Sequence, residues 1–307
     1  MTNQEFDTLR PLLFSIAYRM LGSVSEAEDI VQESFLRYQR ALSDGVAIES
    51  PKAYLSAIST RLSIDHLRSA RNRRETYVGE WLPEPILTDV DDPSRITEEA
   101  DSLSMAFLLL LERLSPVERA VFLLHDVFAF DYDEIGEIVH KSAINCRQLA
   151  TRARRHIEAE KPRYETSKRE RDELATRFFA AMTNGDLDGL VTMLAEDVVV
   201  YGDGGGKAPQ WSKPIVGPQR VASLFAGLGR QLQSLAITVE LRDVNAQPGA
   251  VLRTPAGELI NVFALDIVDG VVQTVRSVIN PDKLRHLGPV ADVRALAREA
   301  RRATPEE

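Results

Sequence analysis

Residues Asp131 to Arg155 read DYDEIGEIVHKSAINCRQLATRARR, a stretch with two helix starts separated by a short break. Asp131 with Glu134 forms a capping box for the first helix, and Ile135, Ile138 and Val139 recur at helical spacing to give it one buried face. His140 and Lys141 interrupt the pattern, and Ser142 can cap a second helix. The second helix presents Asn145, Arg147, Gln148, Arg152 and Arg155, with Ile144, Cys146 and Leu149 expected to face inward. This pattern predicts a helix-turn-helix, whose second helix fits the major groove of DNA. Asn and Gln suit adenine edges there, and Arg suits guanine. On this segment alone, a solvated helical pair with a charged face is the alternative.

Working outward, Ser115-Pro116-Val117-Glu118 combines an N-cap, a proline at the first helical position and an acid at the third. It predicts a helix through Val121, Phe122 and Leu124 that packs beneath the helix-turn-helix, within a helical block at 101–160. Upstream, residues 4–78 form another helical block. Leu9, Leu12, Leu13, Ile16, Ala17 and Met20 make one apolar face, which Gly22 ends. Ala27, Ile30, Val31, Phe35 and Tyr38 make the next, with Ser25 and Glu28 as its expected capping box. Pro51 opens a third helix with Leu55, Ile58, Leu62 and Leu67 inward. Between the helical blocks, residues 79–100 hold Pro83, Pro85, Pro93 and many acids, and read as a linker.

The third block, 168–285, changes pattern. Leu174, Phe178, Phe179 and Met182 predict a helix ended by Asn184-Gly185-Asp186. Strands are predicted at Val198–Tyr201, Ala236–Leu241, Ala250–Arg253, Leu259–Val268 and Val271–Val278, with Asp269-Gly270 as a hairpin turn. Helices followed by a curved antiparallel sheet give an α+β block after two all-α blocks. No internal repeat is present.

Composition narrows the function. The chain has 307 residues, 44% hydrophobic and 27% charged, as in ordinary globular protein. A net charge of -9 argues against indiscriminate nucleic-acid binding. The charge is uneven: Arg61 to Arg74 holds five Arg and one Asp, whereas Asp89 to Asp101 holds six acids and one Arg. Local basic helices in an acidic chain suggest DNA contact that depends on a partner or is held in check. Cys146 is the single cysteine, so no disulfide forms within the chain and no cysteine-based metal site is available. Its apolar helical position predicts a buried thiol. No signal pattern opens the sequence, and the longest apolar run, Met105 to Leu111, is far below the ~20 residues that span a bilayer. A soluble cytoplasmic protein is expected.

Three separated motifs carry a resemblance: SEAEDIVQESFLR (25–37), AYLSAISTRLSIDHLRSARNRRE (53–75) and LSPVERAVFLLHDVFAFDYDEIGEIV (114–139). Together they resemble the extracytoplasmic-function sigma factors of bacterial RNA polymerase. YVGEWLPEP (77–85) looks like the linker signature of the SigJ-type subgroup with a fused C-terminal SnoaL-like (NTF2-like) cone domain, and DGGGK (203–207) and NPDKL (280–284) are motifs that this subgroup shares. The turn departs from the family pattern, which has glycine and then an apolar residue where His140 and Lys141 stand.

The resemblance implies an alternative sigma factor of the stress-response type, with regions 2 and 4 at 4–78 and 101–160 and the cone domain at 168–285. Asp29, Gln32, Glu33 and Leu36 would grip the coiled coil of the polymerase β′ subunit; without the family, the same residues are simply a solvated helix face. The β subunit is a further implied partner within the core enzyme. Arg61, Asp65, Arg68, Arg71, Arg73 and Arg74 would lie on the −10 element, largely at phosphates, which position without reading sequence. The preceding loop, near Asp44 to Ser50, would capture an unstacked base without an aromatic residue. Ser142, Asn145, Arg147, Gln148, Arg152 and Arg155 would contact the −35 element. That element lies about two helical turns upstream, roughly 70 Å, and a linker of about 22 residues spans ~70–80 Å when extended.

Trp81 either packs locally on the first block, or Trp81, Leu82, Pro83, Glu84 and Pro85 dock on the third. In the third block, Asp203, Gly204, Gly205, Gly206 and Lys207 do not match a phosphate loop, because no GK[ST] follows. A turn that sets Asp203 and Lys207 against another part of the chain fits better. Asn280, Pro281 and Asp282 form a turn after the last strand, followed by Lys283 and Leu284; the resemblance alone gives these residues functional weight. None of the five histidines falls within 172–285, leaving Tyr201, Asp203, Lys207 and Asp266 as candidate acid–base groups. An enzyme is therefore not expected, nor a cofactor or metal. The subgroup implies that the fused domain replaces a separate anti-sigma factor and that its pocket is open to a small ligand. A helix-turn-helix regulator with a sensor domain is the alternative reading.

Overall fold

Apolar stripes at helical spacing fold the first block into α1 (Asn3–Leu21), α2 (Val24–Ser43) and α3 (Pro51–Glu75) in the computed structural model, which describes residues 3–88, 100–159, 166–211 and 213–303. Leu13, Val31, Tyr38 and Leu55 meet in the core of this block. Gly22 turns α1 into α2 at φ 67°, a left-handed conformation that glycine adopts without strain. The cap of α2 corrects the sequence expectation. Ser23, not Ser25, accepts the Glu26 N–H, so the helix begins two residues earlier than the Ser25–Glu28 pattern predicts. Helix α3 buries Ser56, Ser59, Thr60 and Ser63 along with Leu55, Ile64 and Leu67. Small hydroxyl residues let it lie close to α1, where Ser59 Oγ reaches the Leu13 carbonyl at 3.5 Å.

The second helical block comprises α4 (Ala100–Leu103), α5 (Met105–Leu111), α6 (Pro116–Phe122), a π-helical turn (Leu123–Val127), α7 (Tyr132–Val139) and α8 (Ala143–Glu158). The capping boxes Ser115–Glu118 and Asp131–Glu134 both form as the sequence predicts. Met1–Thr76 and Phe107–Lys161 pack as one unit. Arg119, buried on α6, ties its parts together by donating to the Met20 carbonyl and pairing with Glu112 at 2.8 Å.

The second unit contains Tyr77–Ala106 and Pro162–Glu307. It holds α9 (Lys168–Asn184), α10 (Leu187–Met193), β1 (Leu194–Asp203), β2 (Ile215–Val216), α11 (Pro218–Ser234), β3 (Thr238–Val244), β4 (Gln247–Arg253), β5 (Leu259–Val268), β6 (Val271–Val278), α12 (Pro281–Leu284), a 3-10 turn and α13 (Val293–Ala303). The strands form one sheet in the order β2-β1-β6-β5-β4-β3. The expectation of a wholly antiparallel sheet is corrected: β1 runs parallel to β6, while the other pairs are antiparallel. A parallel neighbour requires a long crossover, here the whole stretch from β2 to β5. Sequence reading found β5 and β6 at their observed bounds. It shortened β1, displaced β3 and missed β2 and α11. Asp269 and Gly270 turn the last hairpin with φ 50° and 76°, and Asn245 with Ala246 turn the β3–β4 hairpin with φ 52° and 58°. Alanine is uncommon in such a turn, which hid the second hairpin. Phe178, Phe179, Phe225 and Phe263 pack edge-on or tilted between the helices and the sheet, at centroid separations of 5.3–6.3 Å. Among the described residues, no helix is long and apolar enough to cross a membrane.

Candidate nucleic-acid interface and linker clasp

The break between α7 and α8 sets the recognition surface. His140 takes the left-handed conformation (φ 55°, ψ 51°) that glycine would otherwise supply, and its N–H bonds to the Gly136 carbonyl. Gly136 makes room for the elbow, since a Cβ there would lie 2.6 Å from the Lys141 carbonyl oxygen. The turn is thus closed by His140 in the left-handed conformation, with Gly136 leaving the space it needs. Ser142 caps α8 by accepting the Asn145 N–H.

Along α8, Cys146, Leu149, Ala150, Ala153 and Ile157 form the buried stripe. Burial pushes the Cys146 thiol above its ordinary pKa. Ser142, Asn145, Arg147, Gln148, Arg152 and Arg155 are all exposed on the other side. Ile144 joins them at 67% exposure, correcting the inward placement expected for it. At 100° per residue it lies about 200° from Cys146, off the buried stripe. Arg147 stacks over the Tyr132 ring at 5.4 Å, and Arg152 approaches Glu118 at 3.7 Å. Arg154, a residue that sequence reading passed over, is structural: its fork grips the Asp126 carboxylate at 2.6 and 3.1 Å, raising its pKa.

On α3, Arg61 is not free to meet phosphate in this arrangement. Its guanidinium donates to the Ile138 and Glu137 carbonyls, both at 2.9 Å, at the end of α7, where unpaired carbonyls and the helix dipole favour a cation. Asp65 and Arg68 form an exposed pair at 3.2 Å. The backbone of Arg71, Arg73 and Arg74 continues α3, and their side chains lie outside the described residues. On α2, Asp29, Gln32 and Leu36 share one exposed stripe with half-buried Glu33, which pairs with Arg37 at 2.7 Å. Leu36 is 49% exposed. The 44–50 loop is largely exposed.

The 77–88 segment lies against the third block, so Trp81 takes the docked alternative. Asp203, fully buried at the end of β1, accepts from the Tyr77 hydroxyl at 2.5 Å, the Leu82 N–H at 2.9 Å and Lys283 Nζ at 2.6 Å. Lys283 also donates to the Leu82 carbonyl and sits 4.4 Å above the Trp81 ring and 4.9 Å above Tyr77. Asn280 donates to the Tyr77 hydroxyl at 2.8 Å, and Lys207 pairs with Asp282. Gly205, at φ 56°, leaves room for this, because a Cβ there would meet Asn280 at 2.2 Å and Tyr77 at 3.0 Å. Gly204 and Gly206 continue the turn. Pro83, Glu84 and Pro85 are buried, and His286 hydrogen-bonds the Pro85 carbonyl at 2.8 Å. Sequence reading missed Asn245, which exchanges hydrogen bonds with Ile86 in both directions and donates to the Leu103 carbonyl. Among the enzyme candidates, Asp203 is held by the clasp and Asp266 is paired with buried Arg276.

Burial first, and then the hydrogen bond to Asp203, hold the Tyr77 hydroxyl above its ordinary pKa of about 10. A raised folded-state value means that Tyr77 contributes stability fully below pH ~10, which is lost as pH rises beyond it. Tyr77→Phe is expected to flatten the alkaline loss of stability, measured by urea melts from pH 8 to 11; an unchanged slope would refute this origin.

An exposed recognition helix on a helix-turn-helix, in a chain that also carries the arginine-rich end of α3 and an α+β third block, defines a DNA-binding transcription protein. Sigma-70 region 2 matches residues 6–73, sigma-70 region 4 matches 104–157 and the SnoaL-like domain matches 175–259. The chain is 38% identical over 290 residues to the ECF RNA polymerase sigma factor SigJ of Mycobacterium tuberculosis, covering 91% of this chain and 92% of that protein. It is 33% identical over 279 residues to the probable ECF RNA polymerase sigma factor SigI of the same species, covering 90% and 92%. The crystal structure of M. tuberculosis SigJ superposes with a TM-score of 0.73 at 35% identity, over 94% of this chain and 99% of that one. The chain belongs to the extracytoplasmic-function RNA polymerase sigma factors. It is an alternative sigma factor with a fused SnoaL-like domain, and sigma factors are initiation subunits rather than enzymes.

Proposed function

We propose that this sigma factor directs core RNA polymerase to two promoter elements and that its third block regulates it in cis. The exposed row on α8 carries the reading. Asn145, Arg147 and Gln148 contact base edges of the −35 element, Arg152 and Arg155 its phosphates, and Ser142 the backbone at the helix start. Ile144, exposed beside them, suits a thymine methyl. Arg61, Asp65, Arg68, Arg71, Arg73 and Arg74 serve the −10 element, with the 44–50 loop receiving the displaced base. Asp29, Gln32, Glu33 and Leu36 bind the β′ coiled coil, and the β subunit completes the polymerase contact. Domain boundaries of 4–78, 101–160 and 168–285, joined by the 79–100 linker, follow from this division of labour. Such a protein works in the cytoplasm.

Run-off transcription with purified core polymerase, on DNA from upstream of the chain's own coding sequence, tests the reading. Gln148→Ala is expected to lower specific initiation about 5- to 150-fold, the range of one bidentate base contact, while co-elution with core polymerase stays unchanged. Equal initiation by variant and parent would remove Gln148 from base readout.

The bond from Arg61 to α7 supports regulation by arrangement. A compact unit of roughly 130 residues has a radius of gyration of about 14 Å, whereas the two promoter elements lie roughly 70 Å apart. Arg61 must leave Glu137 and Ile138 before both elements are engaged. The clasp of Trp81 to Pro85, Asp203 to Lys207 and Asn280 to Leu284 fixes the linker that permits this opening, replacing a separate anti-sigma factor. Removing residues 280–307 is expected to change transcript yield; unchanged yield with an unchanged domain arrangement would sink cis regulation.

A further inference from the structure

The C-terminal unit carries a half-open cavity of about 890 Å³ between α11, the sheet and α13. Its walls are largely apolar, with Leu224, Leu228, Leu252, Ile260, Phe263 and Leu296 among them. The one charged side chain among its described lining residues is Arg230, which is exposed. No carboxylate or histidine lines it among the described residues, so it has the means to bind but no acid–base pair. Ser223, Gln231 and Ser234 line its exposed side, and two less exposed polar features interrupt the apolar wall. Asn261 exchanges hydrogen bonds with Ser277 at 2.9 and 3.2 Å, and Gln210 joins them through Ser277 at 3.1 Å. Trp211 also lines the cavity, and its Nε1 is buried without a hydrogen-bond partner among the described residues. A buried donor left unsatisfied is costly, and an acceptor placed beside it relieves that cost.

The cavity wall is continuous with the linker clasp. Ile279 lines the cavity, and its N–H bonds to the Asp203 carbonyl at 2.9 Å; the next residue, Asn280, bonds to Tyr77. On the other side, Val293 and Leu296 of α13 line the cavity, while Arg294 between them donates to the Gly206 carbonyl at 3.1 Å. Anything that shifts Ile279 or α13 therefore acts on both strands of the clasp.

We propose that this cavity is a receptor site for a neutral, mostly apolar small molecule with one hydrogen-bond acceptor for Trp211 Nε1, and that its occupancy is transmitted to the clasp through Ile279 and α13. Neutrality follows from the lining, because the one charged lining group, Arg230, is exposed to water and the buried wall offers a charged ligand no counter-charge. Transmission requires only that the ligand bind the clasped and released forms with different affinity. The proposal deepens the cis-regulatory reading and rests on it for its consequence, not for binding itself.

The test uses the full-length protein and prodan, a neutral naphthalene ketone whose emission reports polarity and hydrogen bonding at its carbonyl. Saturable 1:1 binding with blue-shifted emission relative to water is expected. Leu228→Trp, which fills the cavity, should weaken binding at least tenfold, and Trp211→Phe about fivefold. Should Leu228→Trp fail to fold, Trp211→Phe carries the test alone. Anilinonaphthalene sulfonate, an apolar anion, should bind at least tenfold more weakly than prodan. Hydrogen exchange at residues 82–88 should change on prodan binding. Absent saturable binding, equal binding of the anion, or affinity indifferent to both substitutions would overturn the receptor site. Binding with unaltered exchange at 82–88 would overturn transmission to the clasp. Run-off transcription with prodan separates the two readings: bound prodan that alters exchange but not transcript yield would count against cis regulation and leave the receptor standing.

Discussion

Lys283→Met is expected to destabilise the C-terminal unit by about 3–5 kcal/mol, the usual cost of leaving one partner of a buried ion pair uncompensated. Asp203 has no exposed surface, and the Lys283 side chain retains only 8%. Removing the ammonium leaves the Asp203 carboxylate with the Tyr77 hydroxyl and the Leu82 N–H as its donors. It also strips the Leu82 carbonyl of a donor and the Trp81 and Tyr77 rings of their cation. For a unit of this size the loss corresponds to a fall in Tm of roughly 10 °C. Residues 77–88 should exchange amide hydrogens faster, because Asp203 and Lys283 together hold the Leu82 peptide. Asp203→Asn combined with Lys283→Met removes both charges while keeping an acceptor for Tyr77, and should recover most of the loss. A single variant that melts within 2 °C of the parent, with linker exchange unaltered, would show that the clasp does not rest on this pair.

Gly136→Ala is expected to abolish most promoter-specific initiation while sparing attachment to polymerase. The added methyl would stand 2.6 Å from the Lys141 carbonyl and 3.6 Å from the Ala143 nitrogen, both backbone atoms of the elbow that aims α8. Backbone cannot swing aside as a flexible side chain can, so the elbow must open. Overpacking of this kind costs about 1–3 kcal/mol, and the tilt of α8 changes with it. The stripe on α2 that we propose meets polymerase is untouched, so co-elution with the core enzyme should persist as run-off transcripts fall more than tenfold. Glu137→Ala, an exposed neighbour whose carbonyl stays in place for Arg61, serves as the control and should initiate normally. Full transcript yield from Gly136→Ala would mean that the elbow angle does not govern recognition.

Local signals were legible where cause and effect lie within a few residues. The boxes at Ser115–Glu118 and Asp131–Glu134, the Ser142 cap and the Asp269-Gly270 turn are each closed by backbone and side-chain groups no more than three residues apart. The errors were also local when two signals competed. Ser23 and Ser25 are both able caps, and the chain uses Ser23, directly after the left-handed turn at Gly22. Ile144 carries an apolar side chain at a position that the burial of Cys146 and Leu149 turns outward, and hydrophobicity alone cannot report that rotation. The candidate site was partly legible. The exposed polar row of α8 was readable from its period. The occupation of Arg61 by α7 was not, because its partners are main-chain carbonyls 76 and 77 residues away that carry no sequence signature.

The amino-acid order by itself determined the two helical blocks, the helix-turn-helix between Asp131 and Arg155, the change to strand periodicity after 168, and the family motifs that mark a sigma factor with a fused third block. Helical and strand periods, caps and turns are written in neighbouring residues, so they survive in one dimension. Only the tertiary structure decided that β1 lies parallel to β6, that Asp203 gathers Tyr77, Leu82 and Lys283 from across 126 and 80 residues, and that Trp81 rests beneath Lys283 on the third block. Those choices depend on which distant surfaces exclude water together and which buried charges find a partner. No local pattern along the chain encodes them.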